Sequence, residues 1–435
     1  MPDAGRARSI RWCTTTSLRK GDRVSWIDDP AFSAADPFGP QTLPYGVGRV
    51  RAETATGALV RVGDHALPLR PLATHLGPRL SGPLAADSLD PLLAAGRPAW
   101  AELRERLREV VDRGSAPPGA DLVPLAEVRP VLPFAVADYV DFYSSRHHAE
   151  NVGRIFRPDS DPLLPNWTHL PVGYHGRAGT VIASGTPVRR PRGQRRPQGS
   201  TGPVFGPSER LDIEAEVGFV CGGPVRGEVG TAELADHVLG VALVNDWSAR
   251  DIQAWEYQPL GPFLGKSFAT SLAHWITPLA ALEAARVPTP PAPNPLLDYL
   301  SEDEPWGLDL RLEVRWNGTV VSRPPFAEMA WSPAQQLAHL TVNGATVRPG
   351  DLFASGTVSG PDRAERGSFL ELSWGGREPV TLDDGTTRAF LLDGDTVEIT
   401  ATAPGPDGSV VGLAEVTGRV LPADVEPTAV RGPGR

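Results

Sequence analysis

Apolar residues recur at two different periods along this chain. From Leu308 to Trp316 every second residue is apolar, and Asn317-Gly318 follows before a second β-rich run. Alternation puts one set of side chains on one strand face, and Asn-Gly suits a type I′ turn, so a hairpin is predicted. Residues 43–70 break into short runs around a Gly63-Asp64 turn and read as further strands. A helical period marks "AWAELRERLREVVDRG" (99–114), which predicts an amphipathic helix ending at Gly114. Ser332-Pro333 opens a second, capped helix, with Gly344 beyond its end.

Three segments combine such patterns with unusual polar residues. In "RLDIEAEVGFV" (210–220), Leu211, Ile213, Ala215, Val217 and Phe219 share one parity, and Asp212, Glu214 and Glu216 share the other. One strand face would carry three carboxylates about 7 Å apart. A solvated face accounts for this, and so does a hard cation held by oxygen ligands. "VALVNDWSARDIQAWEY" (241–257) starts as a buried strand ending at Asp246. Ser248 and Asp251 then form a capping-box pattern for a helix on which Arg250, Gln253 and Tyr257 share a face. "VADYVDFYSSRHHAENVGRIFR" (136–157) carries Asp138, Asp141, Tyr143, His147 and His148, with Ser144 or Ser145 placed to cap a short helix. Histidine is the usual general base near neutral pH. No His-x-x-x-His or cysteine-rich spacing occurs, which disfavours zinc and favours magnesium, calcium or manganese.

Composition narrows the picture. A length of 435 residues predicts two domains, and 46 Gly with 46 Pro predict many short strands and loops. A formal charge of −10 argues against a nucleic-acid partner. Two cysteines, Cys13 and Cys221, exclude a disulfide framework and fit a reducing cytoplasm. No apolar run approaches membrane-spanning length. The N-terminus lacks an apolar signal core, so residues 1–24 and 423–435 read as tails. Residues 114–133 read as a linker, 189–197 as a basic solvated loop, and 284–298 as an extended Pro-rich loop. Among the basic residues only Lys20 and Lys266 are lysines. Chance survival accounts for Lys266, in "PLGPFLGKSF", and so does a place where a planar guanidinium would not serve.

The motifs "DFYSSRHHAENVG", "PNWTHLPVGYHGRAGTV", "LDIEAEVGF", "NDWSARDIQAWEYQPLGPFLGKSF", "RPGDLFASGTVSGP" and "GSFLELSW" together resemble the fumarylacetoacetase family from about Ser25 to Pro422. The resemblance implies a mainly β (α+β) fold. A small SH3-like barrel domain (25–125) would precede a larger mixed β-sandwich/roll catalytic domain (126–422). It implies a homodimer that hydrolyses a carbon–carbon bond of 4-fumarylacetoacetate, the last step of tyrosine and phenylalanine degradation. By the same resemblance Asp141, Glu214, Glu216 and Asp246 would hold Mg²⁺ or Ca²⁺. Lys266 and Thr270, with Asp246, would form a second cation site. His148 would be the base, oriented by Glu371, with Arg250, Gln253 and Lys266 stabilising an oxyanion. Tyr143, Arg157, Tyr174, Gln253, Tyr257 and Thr357 would contact substrate. Acylpyruvate hydrolases, decarboxylases and isomerases of 2-oxo acids on the same fold would share the metal acids, but His148, Glu371 and the N-terminal barrel favour hydrolysis. A non-catalytic cation-binding protein would not need the full oxyanion set.

Overall fold

The computed structural model describes residues 35–113 and 120–424. The expected N-terminal tail, the helix-ending Gly114 and residues 425–435 lie outside that range.

The expected mainly β fold is what the chain adopts. The 308–322 hairpin forms as Arg311–Trp316 paired with Thr319–Ser322. Asn317 (φ 49°) and Gly318 (φ 83°) both take the left-handed backbone that a type I′ turn needs. The helix read over 99–114 runs Arg97–Asp112. Ser332 caps Pro333–Thr341, its hydroxyl accepting from the Gln335 N–H at 3.1 Å.

Two sheets organise the molecule. The N-terminal strands Tyr45–Val50, Gly57–Val62 and His65–Pro68 form an antiparallel meander, extended by Val123–Pro124, with Val128–Pro130 on the other edge of Tyr45–Val50. This set is joined to the larger unit, because Tyr45 and Gly46 pair with Ile276 and Trp275. The main sheet continues through Trp275–Pro278, Val238–Asp246, Ala215–Cys221, Asp351–Ala354, Asp138–Phe142 and Gly173–His175. A five-stranded sheet, including Thr396–Pro404 and Val410–Leu421, packs behind Val238–Asp246. Val47, Val217, Leu243 and Val416 belong to one continuous core.

Three local expectations are corrected. Residues 210–220 do not form one half-solvated strand. Leu211–Asp212 and Ala215–Cys221 are separate strands, and both parities are buried. The second pairs with Val238–Asp246 on one edge and Asp351–Ala354 on the other, and all seven of its residues are buried. The capping box at Ser248 and Asp251 does not form either. Ser248–Ala249 pairs with Leu211–Asp212, the helix runs Arg250–Glu256, and Asp251 accepts from Ser208 Oγ and the Glu209 N–H. The basic 189–197 segment is largely a hairpin, with Arg192–Arg195 on Val204–Pro207, and Arg190 is buried, donating to the Ser208 and Leu391 carbonyls.

Candidate active site

Neighbouring strands bring the acids to one end of the main sheet. Asp141 lies next to the end of the strand Asp138–Phe142, which runs parallel to Asp351–Ala354 with Asp141 opposite Ala354. Glu214 and Glu216 flank the start of Ala215–Cys221, and Asp246 ends Val238–Asp246. The Asp246 N–H donates to the Glu214 carbonyl, which sets the two acids side by side. One oxygen from each of Asp141, Glu214, Glu216 and Asp246 lies within 4.8 Å of the others, and all four residues are buried.

Two cations share this cluster. Lys266 Nζ lies 2.5 Å from Glu214 Oε2 and 2.6 Å from Asp246 Oδ2. Arg250 Nη2 lies 2.7 Å from Glu214 Oε1, and its Nε donates to Asp212 at 2.7 Å. Five buried carboxylates thus face two buried cations. Both oxygens of Glu216, and Oδ1 of Asp141, are buried with no hydrogen-bond partner among the described residues. Orphaned carboxylate oxygens in that setting are strongly destabilising without a cation. The donor set is all oxygen and suits a hard divalent ion. Burial, then repulsion from Asp246, holds the Asp141 carboxyl well above its usual range, and burial with repulsion from Asp141 and Glu214 does the same for Glu216. Burial opposes ionisation of Glu214 too, but Lys266, Arg250 and His148 hold it well below the ordinary value.

His148 faces this cluster from the helix Arg146–Phe156. Ser145 caps that helix, its hydroxyl accepting from the His148 N–H at 3.2 Å. His148 Nδ1 lies 2.6 Å from Glu371 Oε2, and Nε2 lies 3.7 Å from Glu214 Oε1. Burial pushes the Glu371 carboxyl up, but His148 and donors from Asn151 and Ser368 bring it below the usual range. His147 points elsewhere, with Nε2 3.4 Å from Glu328 Oε2.

A cavity of about 380 Å³ opens over these groups. Asp141, Tyr143, His148, Arg157, Tyr174, Glu214, Arg250, Gln253, Tyr257, Lys266 and Thr357 line it. Glu371 lies behind His148, and Glu216 is buried beneath the lining. Asp246 and Thr270 line a smaller cavity on the other side of Lys266, where Thr270 Oγ1 donates to Asp246 Oδ1 at 3.1 Å. The Tyr174 hydroxyl donates between Asp141 Oδ2 (2.9 Å) and Asp246 Oδ2 (3.2 Å). Gly356 turns the chain so that Thr357 reaches the cavity. It has φ 76°, and a Cβ there would meet the Phe142 carbonyl at 2.1 Å, so only glycine fits.

The sequence reading missed the groups that hold Glu371. Asn151 Nδ2 donates to Oε1 at 3.0 Å, and the Ser359 and Ser368 hydroxyls donate to Oε2 at 3.1 and 2.7 Å. Two signals were available: Asn151 lies three residues after His148 on one helix, and Ser368-Phe-Leu-Glu371 has capping-box spacing. Ser359 carried none.

Known proteins resemble this chain over most of its length. Residues 138–420 match the family described as Fumarylacetoacetate (FAA) hydrolase C-terminal, and residues 41–133 match Fumarylacetoacetase N-terminal. Fumarylacetoacetase of Homo sapiens is 44% identical over 406 residues, covering 89% of this chain and 96% of that protein. The Arabidopsis thaliana fumarylacetoacetase is 41% identical over 408 residues, with the same coverage. The fold is shared with the solved fumarylacetoacetate hydrolase of psychrophilic Exiguobacterium antarcticum. That pair has TM-score 0.53 and 15% identity, over 88% of this chain and 100% of that one. Matched across both of its parts and at this identity, the chain belongs to the fumarylacetoacetase family.

Proposed function

We propose that this chain hydrolyses the carbon–carbon bond of 4-fumarylacetoacetate to fumarate and acetoacetate, as in tyrosine and phenylalanine degradation. The observation that carries this reading is the His148–Glu371 pair facing a buried four-carboxylate cluster in one cavity. Asp141, Glu214, Glu216 and Asp246 would hold a divalent ion, magnesium or calcium. Bound there, the ion supplies Lewis-acid polarisation of a carbonyl oxygen.

The chain's own residues carry the proton and position the reactants. Glu371 accepts from Nδ1 of His148, which turns Nε2 toward the cavity to take a proton from water. The hydroxyl adds to the carbonyl carbon, the carbon–carbon bond breaks, and the leaving acetoacetate carbon takes the proton back from His148. Gln253 Oε1 accepts from Arg250 Nη1 at 3.1 Å, so its amide NH₂ is left to donate to the developing oxyanion. Lys266 spends two of its three N–H bonds on Glu214 and Asp246 and keeps one for the same oxygen. Arg157 donates to the Pro162 carbonyl through Nη2, and its Nε has no partner among the described residues. That leaves N–H groups for a substrate carboxylate. Tyr143, Tyr174, Tyr257 and Thr357 would contact the rest of the substrate. Thr270, with Asp246 and Lys266, would border a second cation site.

We further read the chain as a cytoplasmic homodimer. Leu260 (96% exposed) and Phe263 (65%) leave apolar surface beside the cavity mouth for a second copy to cover. No helix among the described residues is long and apolar enough to cross a membrane. Purified protein mixed with fumarylacetoacetate should remove its absorbance and release fumarate and acetoacetate in equal amounts. Unchanged substrate, with magnesium and calcium both supplied, would refute the reading.

A further inference from the structure

Asp212 continues the row of Glu214 and Glu216 along the chain, yet it takes no part in the acid cluster. Its side chain is fully buried and accepts four hydrogen bonds. Oδ1 accepts from the N–H of Ile213 at 2.8 Å and of Phe369 at 2.8 Å. Oδ2 accepts from the Leu370 N–H at 3.1 Å and from Arg250 Nε at 2.7 Å. Every lone-pair direction of the carboxylate is in use. Phe369 and Leu370 open the turn that carries Glu371. Arg250 opens the helix that carries Gln253. Asp212 therefore touches both the element that orients His148 and the guanidinium beside Glu214.

We propose that Asp212 is a positioning residue whose single buried carboxylate holds Arg250 and the Glu371 turn in one register, so that base and oxyanion donors are aligned together. Its kinetic consequence rests on the hydrolase reading above. The Arg250 guanidinium has five N–H bonds. Asp212 fixes the Nε–H, and with that anchor set, Nη1 reaches Gln253 and Nη2 reaches Glu214. Without the anchor the planar fork is free to rotate about its own stem. The same loss leaves the Phe369 and Leu370 N–H groups buried without an acceptor, and the Glu371 turn shifts to find one.

Asp212→Asn is the direct test, because it keeps size and removes one acceptor. Its NH₂ group would face Arg250 Nε–H and the Leu370 N–H, donor against donor. We expect kcat per folded molecule to fall roughly 10- to 100-fold, with KM within about threefold of wild type. Combined with Glu371→Gln, the joint loss should be smaller than the product of the single losses, because one arm of Asp212 acts through Glu371. Proton NMR supplies a readout that needs no substrate. The low-field resonance of the His148–Glu371 hydrogen bond, assigned by its loss in His148→Asn, should shift or broaden in folded Asp212→Asn. Asp212→Glu keeps the charge and lengthens the arm, and it should move the same resonance. Wild-type kcat, fully multiplying losses, or an unmoved resonance would overturn the proposal. Failure of both variants to fold would overturn it too, by making Asp212 a folding determinant. If the wild-type protein fails to turn over fumarylacetoacetate, the hydrolase reading falls while the resonance still decides the role of Asp212.

Discussion

His148 Nδ1 lies 2.6 Å from Glu371 Oε2, although 223 residues separate the two along the chain. Both side chains are buried, and Asn151, Ser359 and Ser368 donate to the same carboxylate. The carboxylate fixes which ring nitrogen carries the proton and which one faces the cavity. His148→Asn should lower kcat by roughly 10²- to 10⁴-fold, the range of a general base. Glu371→Gln should also lower kcat, because an amide can present its NH₂ to Nδ1 and favour the wrong tautomer. Steady-state kinetics on variants with wild-type circular dichroism checks both.

His147 is the neighbouring control. Successive residues on a helix point about 100° apart, and His147 reaches Glu328 instead of the acid cluster. Its contact with Glu328 is partly exposed and contributes little. His147→Ala should keep kcat near wild type and change stability by no more than about 0.5 kcal/mol. A loss equal to that of His148→Asn would place the helix in the wrong phase.

Metal removal should show in stability as well as in turnover. Burial and mutual repulsion raise the Asp141 and Glu216 carboxyls above their ordinary values of 3.8 and 4.5. Above that range the metal-free folded chain therefore keeps protons that the unfolded chain has released. More protons bound in the native state means that stability falls as pH rises. The melting temperature of chelator-treated protein should therefore drop as pH rises above the ordinary carboxylate range. Magnesium or calcium should raise it more at the upper pH, because cation binds the ionised cluster. Glu216→Gln, measured without metal, should flatten the drop. A cation increment independent of pH would count against the cluster as the binding site.

Lys266 tests shape at constant charge. Its ammonium fits between Glu214 and Asp246 at 2.5 and 2.6 Å, in a site where the residue is only 6% exposed. Burial works against its charge, but Asp246 and Glu214 hold its pKa above the usual lysine value, so it stays protonated through neutral pH. Lys266→Arg replaces a point donor by a wider plane. We expect a folded protein that loses kcat by roughly 10²-fold, the scale of one oxyanion donor, with a smaller change in KM. Wild-type kcat in Lys266→Arg would remove Lys266 from the oxyanion set.

Local pattern alone determined a good part of this protein. The 308–322 hairpin, the capped helix after Ser332 and the His148 helix capped by Ser145 were legible because each depends on residues within a few positions of one another. The motif residues were legible one at a time for the same reason. Only the tertiary structure decided what faces what. Alternation in residues 210–220 distinguished two faces of a strand, but both are buried because other parts of the fold pack over each face of the sheet. It also split three acids of one parity, sending Glu214 and Glu216 to the cluster and Asp212 to Arg250 and the Glu371 turn. Ser248 and Asp251 matched a capping box, yet a strand pairing and the Ser208 hydroxyl claimed those groups first. Charge balance was hidden for the same physical reason. Lys266 and Arg250 neutralise part of the cluster only because Glu214, Asp246 and the 250–256 helix converge in space, and sequence spacing does not encode that convergence.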